Sequence, residues 1–316
     1  MDPLLDLVSI FESTIRLGTP LILAALGGLL SERAGIVDLG IEGKLLAAAF
    51  AAASAAAVTG SAWMGLAAGM LAAMLCALLH GLAAITYGGS QLISGMAINI
   101  LVAGLTPTLA SSWFHLGART PLLAGAERFG PIALPLADRL GPFGRLVSGH
   151  NLLVYLTLLL VPLTAILLYR TRFGLRLRAV GDNPEAVEAA GISVAKLRYL
   201  ALLLGAALCG IGGAYLSLAQ AGGFVRDMSA GKGYVALAAL IAGRWRPLPA
   251  CAACLLFAFA DALQLRLQGT VLAGIGVLPV QAVQALPYVV TVVLLAFVAG
   301  KSGQPRALGL PFRVSR

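Results

Sequence analysis

Long apolar stretches, broken by Gly, Pro and small clusters of charge, make up most of the chain. They run near residues 9–30, 41–59, 62–86, 91–113, 150–169, 197–218, 232–243, 248–266 and 284–299. Most have about the 20 residues that an α-helix needs to cross a hydrocarbon core roughly 30 Å thick. The pattern therefore predicts an all-α, polytopic transmembrane bundle of about nine helical elements, within a range of eight to ten. The stretch at 232–243 is short for a full crossing. A helix that breaks or re-enters inside a bilayer is tolerated only where protein or a watery cavity surrounds its ends. Residues 1–316 read as one transmembrane domain, with no internal repeat to divide it.

Composition strengthens this reading. Of 316 residues, 59% are hydrophobic and 11% charged, and the mean hydropathy is +0.94; a soluble domain of this size needs far more charge to cover its surface. The net charge of +9 is informative through its placement. Arg170, Arg172, Arg176, Arg178, Lys196 and Arg198 cluster together, Arg244 and Arg246 sit in "GRWRP", and Lys301, Arg306, Arg313 and Arg316 lie in the tail. Basic residues beside spans mark the cytoplasmic side. This places the C-terminus and the loops at 31–40, 87–90, 170–196 and 244–247 in the cytoplasm, and the acidic N-terminus, with Asp2, Asp6 and Glu12, outside. It also makes nucleic-acid binding the weaker explanation of the positive charge. That N-terminus lacks the basic region and cleavage site of a secretory signal and reads as mature sequence. The connection at 114–149, which carries Arg119, Arg128, Arg139 and Arg145, falls outside, where its length and its Pro and Gly content suggest a cap over the bundle.

The residues that usually carry chemistry are sparse. Cys251 and Cys254 form a CxxC, but inside an apolar helix and without a second ligand pair, so packing explains them better than metal or redox work. Cys76 and Cys209 are isolated, and His80, His115 and His150 have no partner at motif spacing. "GKS" at 300–302 has Leu295 where a phosphate-binding loop requires Gly. The expectation is a transmembrane protein with no ATPase site, no metal and no cofactor of its own. Polar groups within spans are costly unless paired or facing water. Asn99, Gln220, Asp261 and Gln264 are therefore candidates for a solute pathway, each with an interhelical hydrogen bond as the alternative. For Asp261 a pair with Arg266 or a neighbouring helix is the specific alternative. Phe224 is a candidate to stack on a flat ring, such as a base, if the solute has one, or to anchor at the membrane interface. Asp38 and Glu42, four apart near the cytoplasmic end, read as caps or as partners of Arg33 and Lys44.

One island of polar sequence stands out, "GDNPEAVEAAGISVAKLR" at 181–198. Asn183 is a candidate N-cap, Pro184 suits the first helical position, Glu185 and Glu188 favour the early turns and Gly191 stops the helix. About two turns result, within a cytoplasmic loop at 170–196. So short a helix is unstable alone in water and must dock, on its own membrane domain or in a cleft on a partner.

With "EAAG" at Glu188 to Gly191, this island resembles the EAA-type coupling region of importer permeases in the ATP-binding cassette (ABC) superfamily. "TPLILAALGGLLSERAGIVDLGIEGKLL" at 19–46, "QLISGMAINILVAGLT" at 91–106, "GKGYVALAALIAGRWRPL" at 231–248, "FADALQLRLQ" at 259–268 and the closing "ALGLPF" resemble the simple-sugar and nucleoside branch, which is related to the branched-chain amino acid and ribose permeases. The likeness spans nearly the whole chain and is strongest to the shorter permease of paired nucleoside importers. It departs at Asp38, where the family pattern has Asn. The resemblance implies a multi-pass subunit of the bacterial plasma (inner) membrane that moves nucleosides or simple sugars inward by alternating access. It implies a separate ATP-binding cassette subunit contacting Asp182, Asn183, Pro184, Glu185, Glu188, Ala189 and Gly191, a second and different permease chain, and an external solute-binding protein. The rival reading is an ion-coupled secondary transporter, which would also use broken helices and polar residues near the midplane.

Overall fold

The computed structural model describes residues 3–133, 144–268, 271–272, 276–277, 280–298 and 303–312. The apolar stretches form α1 (Pro3–Arg33), α2 (Ile41–Thr59), α3 (Ala62–Gly81), extended by a π turn to Thr86, and α4 (Gln91–Phe114). A four-residue α5 (Gly144–Val147), α6 (Leu152–Arg170), α7 (Arg172–Asp182) and α8 (Pro184–Ala189) follow. Then come α9 (Val194–Tyr215), extended by a π turn to Ala221, α10 (Lys232–Ala242) and α11 (Pro247–Leu267). A small antiparallel hairpin of β1 (Val271–Leu272) and β2 (Gly276–Val277) leads to α12 (Val280–Val298). Seven helices among the described residues are long and apolar enough to cross a membrane.

Helices α1 and α9 form the centre of the bundle, and α2, α3 and α11 pack around them. The close approach of α1 to α9 depends on facing glycines: a Cβ on Gly27 would meet the carbonyl of Gly205, and one on Gly205 would meet that of Gly27. Small residues at such crossings let backbones pack without side chains between them. Helices α3, α4 and α6 turn Leu71, Leu75, Ile93, Ile100, Leu159 and Leu163 outward, as a lipid-facing shell requires.

The segment at 34–40 departs from the expected cytoplasmic loop. After α1 it folds back into the bundle, so that Ala34, Ile36 and Ile41 are fully buried. Glu42 then meets the start of α10, accepting from the Gly231 and Gly233 amides at 2.8 and 2.6 Å. The other end of α10 leads to Trp245, whose carbonyl binds Arg33 at 2.8 Å. Eleven residues of α10 correspond to a rise of roughly 16 Å. Glu42 therefore lies well inside the bundle, and the expectation that it sits near the cytoplasmic end is corrected. The short α10 is the counterpart break, since residues 222–231 descend from the opposite end to reach its start.

Two more features were not anticipated in full. Residues 172–182 form a helix instead of loop, with Gly174, Leu177, Val180 and Gly181 inward and Arg172 and Arg176 exposed. Its charge had concealed its helical period. The connection after α4 pairs with residues 218–225 through Thr120 N to Phe224 O at 3.1 Å, Leu123 N to Gly222 O at 2.9 Å and Phe129 N to Leu218 O at 3.1 Å. Arg128 donates to Ala219 O at 3.3 Å. Arg139, Lys301, Arg313 and Arg316 lie outside the described residues. The loops at 87–90, 170–193 and 243–246 gather at one end with the tail, where Ala307 N donates to Gly181 O at 2.8 Å and Gly309 N to Gly35 O at 3.1 Å.

Candidate functional site

An unwound segment inside a membrane bundle must have its backbone satisfied by protein. Around 34–40 this work falls to polar side chains on neighbouring spans. Gln91 accepts from Val37 N at 2.7 Å, and His80 Nε2 donates to Val37 O at 3.2 Å. That tautomer leaves Nδ1 to accept from the Ser94 hydroxyl at 2.8 Å. Asp38, at the position where Asn was expected, is held by Lys44 Nζ at 2.5 and 2.7 Å and by Ser31 at 3.1 Å. Both members of this ion pair are buried.

Asn99 belongs to the same network. Its amide donates to Leu39 O at 2.8 Å and to the Tyr234 hydroxyl at 2.9 Å, and its carbonyl accepts from Gly43 N at 2.7 Å. It thereby joins α4 to the start of α2 and to α10. Two cavities flank the beginning of α10. One, of about 250 Å³, is lined by Glu42, Asn99, Asp227, Ser229 and Tyr234. The other, of about 290 Å³, collects Lys232, Asp261, Gln264, Gln284, Tyr288 and Thr291. Lys232 lies within electrostatic reach of both Asp261 and Glu42. The second of these cavities is a polar groove at the depth where α10 begins, with a carboxylate, amides and hydroxyls able to exchange hydrogen bonds with a hydroxylated solute.

The other sequence candidates lie elsewhere. Phe224 is 1% exposed and packs edge-to-face with Phe50, ring centroids 5.2 Å apart, so the expectation that it stacks on a base is corrected: the ring is buried in the core. Gln220 is exposed in the π turn after α9 and lines neither cavity. Arg266 binds Asp6 and Ser9, which leaves Asp261 facing Lys232 and removes the proposed Asp261–Arg266 pair. Sequence reasoning missed Lys232, Gln284, Tyr288 and Thr291. The last three recur at helical spacing on one face of α12, a legible signal, and Lys232 opens the one apolar stretch too short to cross.

At the basic end, α8 projects as a small capped helix. Asn183 accepts from Ala186 N at 3.1 Å, Pro184 fills the first turn, and Gly191 ends it with φ 76°. Val187 packs with Val180 and Val194, anchoring α8 to α7 and to the start of α9. Glu188 accepts from Val194 N at 3.0 Å, and Asp182 accepts from Arg306 N at 3.4 Å. Asp182, Asn183, Glu185, Ala189 and Gly191 are exposed, while Pro184 and Glu188 are half-buried. The outer surface is acidic and small, and its inner side is fixed to a central span.

The sequence matches the family described as "Branched-chain amino acid transport system / permease component" over residues 10–299. It is 33% identical to the guanosine ABC transporter permease protein NupQ of Bacillus subtilis, over 99% of this chain and 98% of that protein. It is 32% identical to the nucleoside ABC transporter permease protein NupC of Lactococcus lactis, over 94% of each. To the putative glucose ABC transporter permease protein TsgC13 of Haloferax volcanii it is 33% identical, over 84% of this chain and 79% of that protein.

Proposed function

The chain belongs to the family of branched-chain amino acid transport system permease components and is a membrane-spanning ABC transporter permease, and from that premise we propose that its cargo is a nucleoside. A simple sugar is the second choice. Cargo moves inward across the bacterial inner membrane by alternating access. The observation that carries this reading is the polar groove at the start of α10. Exposed to lipid, its charges and amides would be costly, so this face borders a watery path or another protein chain. Guanosine, nucleosides and glucose, the solutes in the names of the relatives, share a hydroxylated sugar ring suited to such a groove. In this reading Asp261, Gln264, Lys232 and Gln284 contact the solute, and Asn99 and Glu42 hold the wall.

The cytoplasmic side is the end that carries α7 and α8. There the ATP-binding cassette subunit docks on Asp182, Asn183, Pro184, Glu185, Glu188, Ala189 and Gly191. A partner drives a switch only through different binding energies in its two states. Closure of the cassettes on ATP supplies that difference at α8. The displacement passes through Val187 and the Glu188–Val194 bond into α9, which packs on α1, α2 and α3. A second, different permease chain completes the path, and an external solute-binding protein delivers cargo.

Family membership argues against the ion-coupled alternative. Tagging the chain in its native cells and identifying the proteins that copurify after gentle solubilisation tests the assembly. A cassette protein together with a second permease is the expected result. A homogeneous chain without a cassette partner, even after crosslinking in intact cells, would overturn it.

A further inference from the structure

Arg198, near the start of α9, is 2% exposed. Its Nε donates to Ala34 O at 3.2 Å, while Nη2 has no hydrogen-bond partner. Among the described residues no carboxylate lies within 4.0 Å of the guanidinium. Its other neighbours are the Gly35 backbone, where an added Cβ would stand 3.1 Å from Nη2, and the Phe312 ring, whose centroid is 6.0 Å away. A buried charge left without a counter-charge is strongly unfavourable. The buried Lys44, by contrast, is matched by Asp38.

Arg198 lines a cavity of about 560 Å³ between the end of α3 and the start of α9, shared with Ile85, Thr86, Tyr87, Val194 and Phe312. Two features there favour an anion. The guanidinium is the charge to be balanced. The N-terminal end of α9 is itself already capped by the Glu188 carboxylate, through Val194 N at 3.0 Å, so the uncompensated charge here is that of the guanidinium. The Thr86 hydroxyl, already paired with Tyr199 at 2.6 Å, can also serve as a donor or acceptor. Acidic side chains are absent from the lining.

We propose that this cavity binds the phosphate of an anionic phospholipid, with Arg198 as its principal ligand. The recognised chemistry is a phosphate ester, which a free phosphate would share. The position favours the lipid: two spans end here, at the side where Arg172, Arg176 and Lys196 are exposed, the depth of headgroup phosphates. The walls from Ile85, Val194 and Phe312 suit a glycerol and acyl stem, and the exposed Tyr87 is the kind of aromatic that sits at a headgroup boundary. Basic pockets between helices at this level commonly hold lipid headgroups.

The test uses the full chain, purified with its copurifying partners, delipidated and exposed to phosphatidylglycerol vesicles, phosphatidylcholine vesicles or inorganic phosphate. Retained lipid is identified by mass spectrometry and protection is read by thermal unfolding. Phosphatidylglycerol should be retained and protective for the wild type, with affinity at least about tenfold weaker in Arg198→Gln, the consequence of losing a charged hydrogen bond. Ala195→Glu, a substitution at an exposed position on the cavity rim, should expel the lipid from a folded chain even if Arg198→Gln misfolds. Equal protection by inorganic phosphate alone would overturn the lipid as the source and retain the anion site. Equal phosphatidylglycerol binding by wild type and Ala195→Glu would overturn the site.

Discussion

Replacing Lys44 by Gln should destabilise the chain severely, and adding Asp38→Asn should restore most of the loss. The two charges meet at 2.5 Å with both side chains buried. At an effective dielectric constant near 20 their attraction is about 7 kcal/mol, which offsets a desolvation cost of several kcal/mol for each ion. The net contribution of the intact pair is therefore small. Removing Lys44 alone leaves the Asp38 carboxylate buried with only Ser31 and a more distant imidazole to support it, and breaking such a pair typically costs 3–5 kcal/mol. With both positions neutral, the two introduced amides can still bond to each other, and the one at position 38 can still accept from Ser31. The double variant should therefore fall within about 1 kcal/mol of the wild type, since replacing both partners of a buried pair is often nearly neutral. A double-mutant cycle, read from denaturant unfolding in detergent, should give a coupling of at least about 2 kcal/mol. If Lys44→Gln lies within about 0.5 kcal/mol of the wild type, the pair does not hold the 34–40 segment in place and the reasoning fails. The same pairing is what lets a carboxylate stand at position 38 inside the bundle: Lys44 neutralises it.

The other predictions concern the groove and the coupling knob. Glu42→Gln keeps one acceptor for the α10 amides but loses the charge, so it should destabilise by roughly 1–2 kcal/mol, measured in the same unfolding assay. Asp261→Asn should raise the KM for uptake about tenfold, the loss of one charged hydrogen bond, with membrane levels of the chain unchanged; an unaltered KM would take Asp261 out of the path. Phe224→Leu should cost about 1 kcal/mol by removing the Phe50 contact without changing the uptake ratio of a purine to a pyrimidine nucleoside. Ala189→Arg, on the exposed face of α8, should reduce uptake at least about tenfold while ATP hydrolysis by the cassettes persists.

The spans were legible because their signal is a long run of apolar residues ended by Gly, Pro or charge. Helices α2 and α11 follow directly from the pattern at 41–59 and 248–266. The short stretch at 232–243 betrayed the break at α10 by its length alone. Its counterpart at 34–40 was hidden, since a loop that dips into the bundle has the same local composition as one that turns at its surface. What reveals it are its satisfiers, Gln91, His80 and Asn99, which sit 40 to 60 residues away and make sense only once the backbone they bind is visible. That is why Asn99 could be read as a solute contact with equal reason. Phe224 misled differently: aromatic character is local information, whereas its burial against Phe50 is tertiary. The caps of α8 are short-range and were readable residue by residue, but the tie from Glu188 to α9 was not.

The most direct measurement is uptake by the purified complex in sealed proteoliposomes, with ATP supplied on the cassette side and binding protein and radiolabelled nucleoside on the other. Accumulation should require ATP, persist when ionophores collapse ion gradients and disappear with Ala189→Arg. Accumulation that follows an ion gradient without nucleotide would contradict the assignment of this chain as the ATP-driven path for a nucleoside.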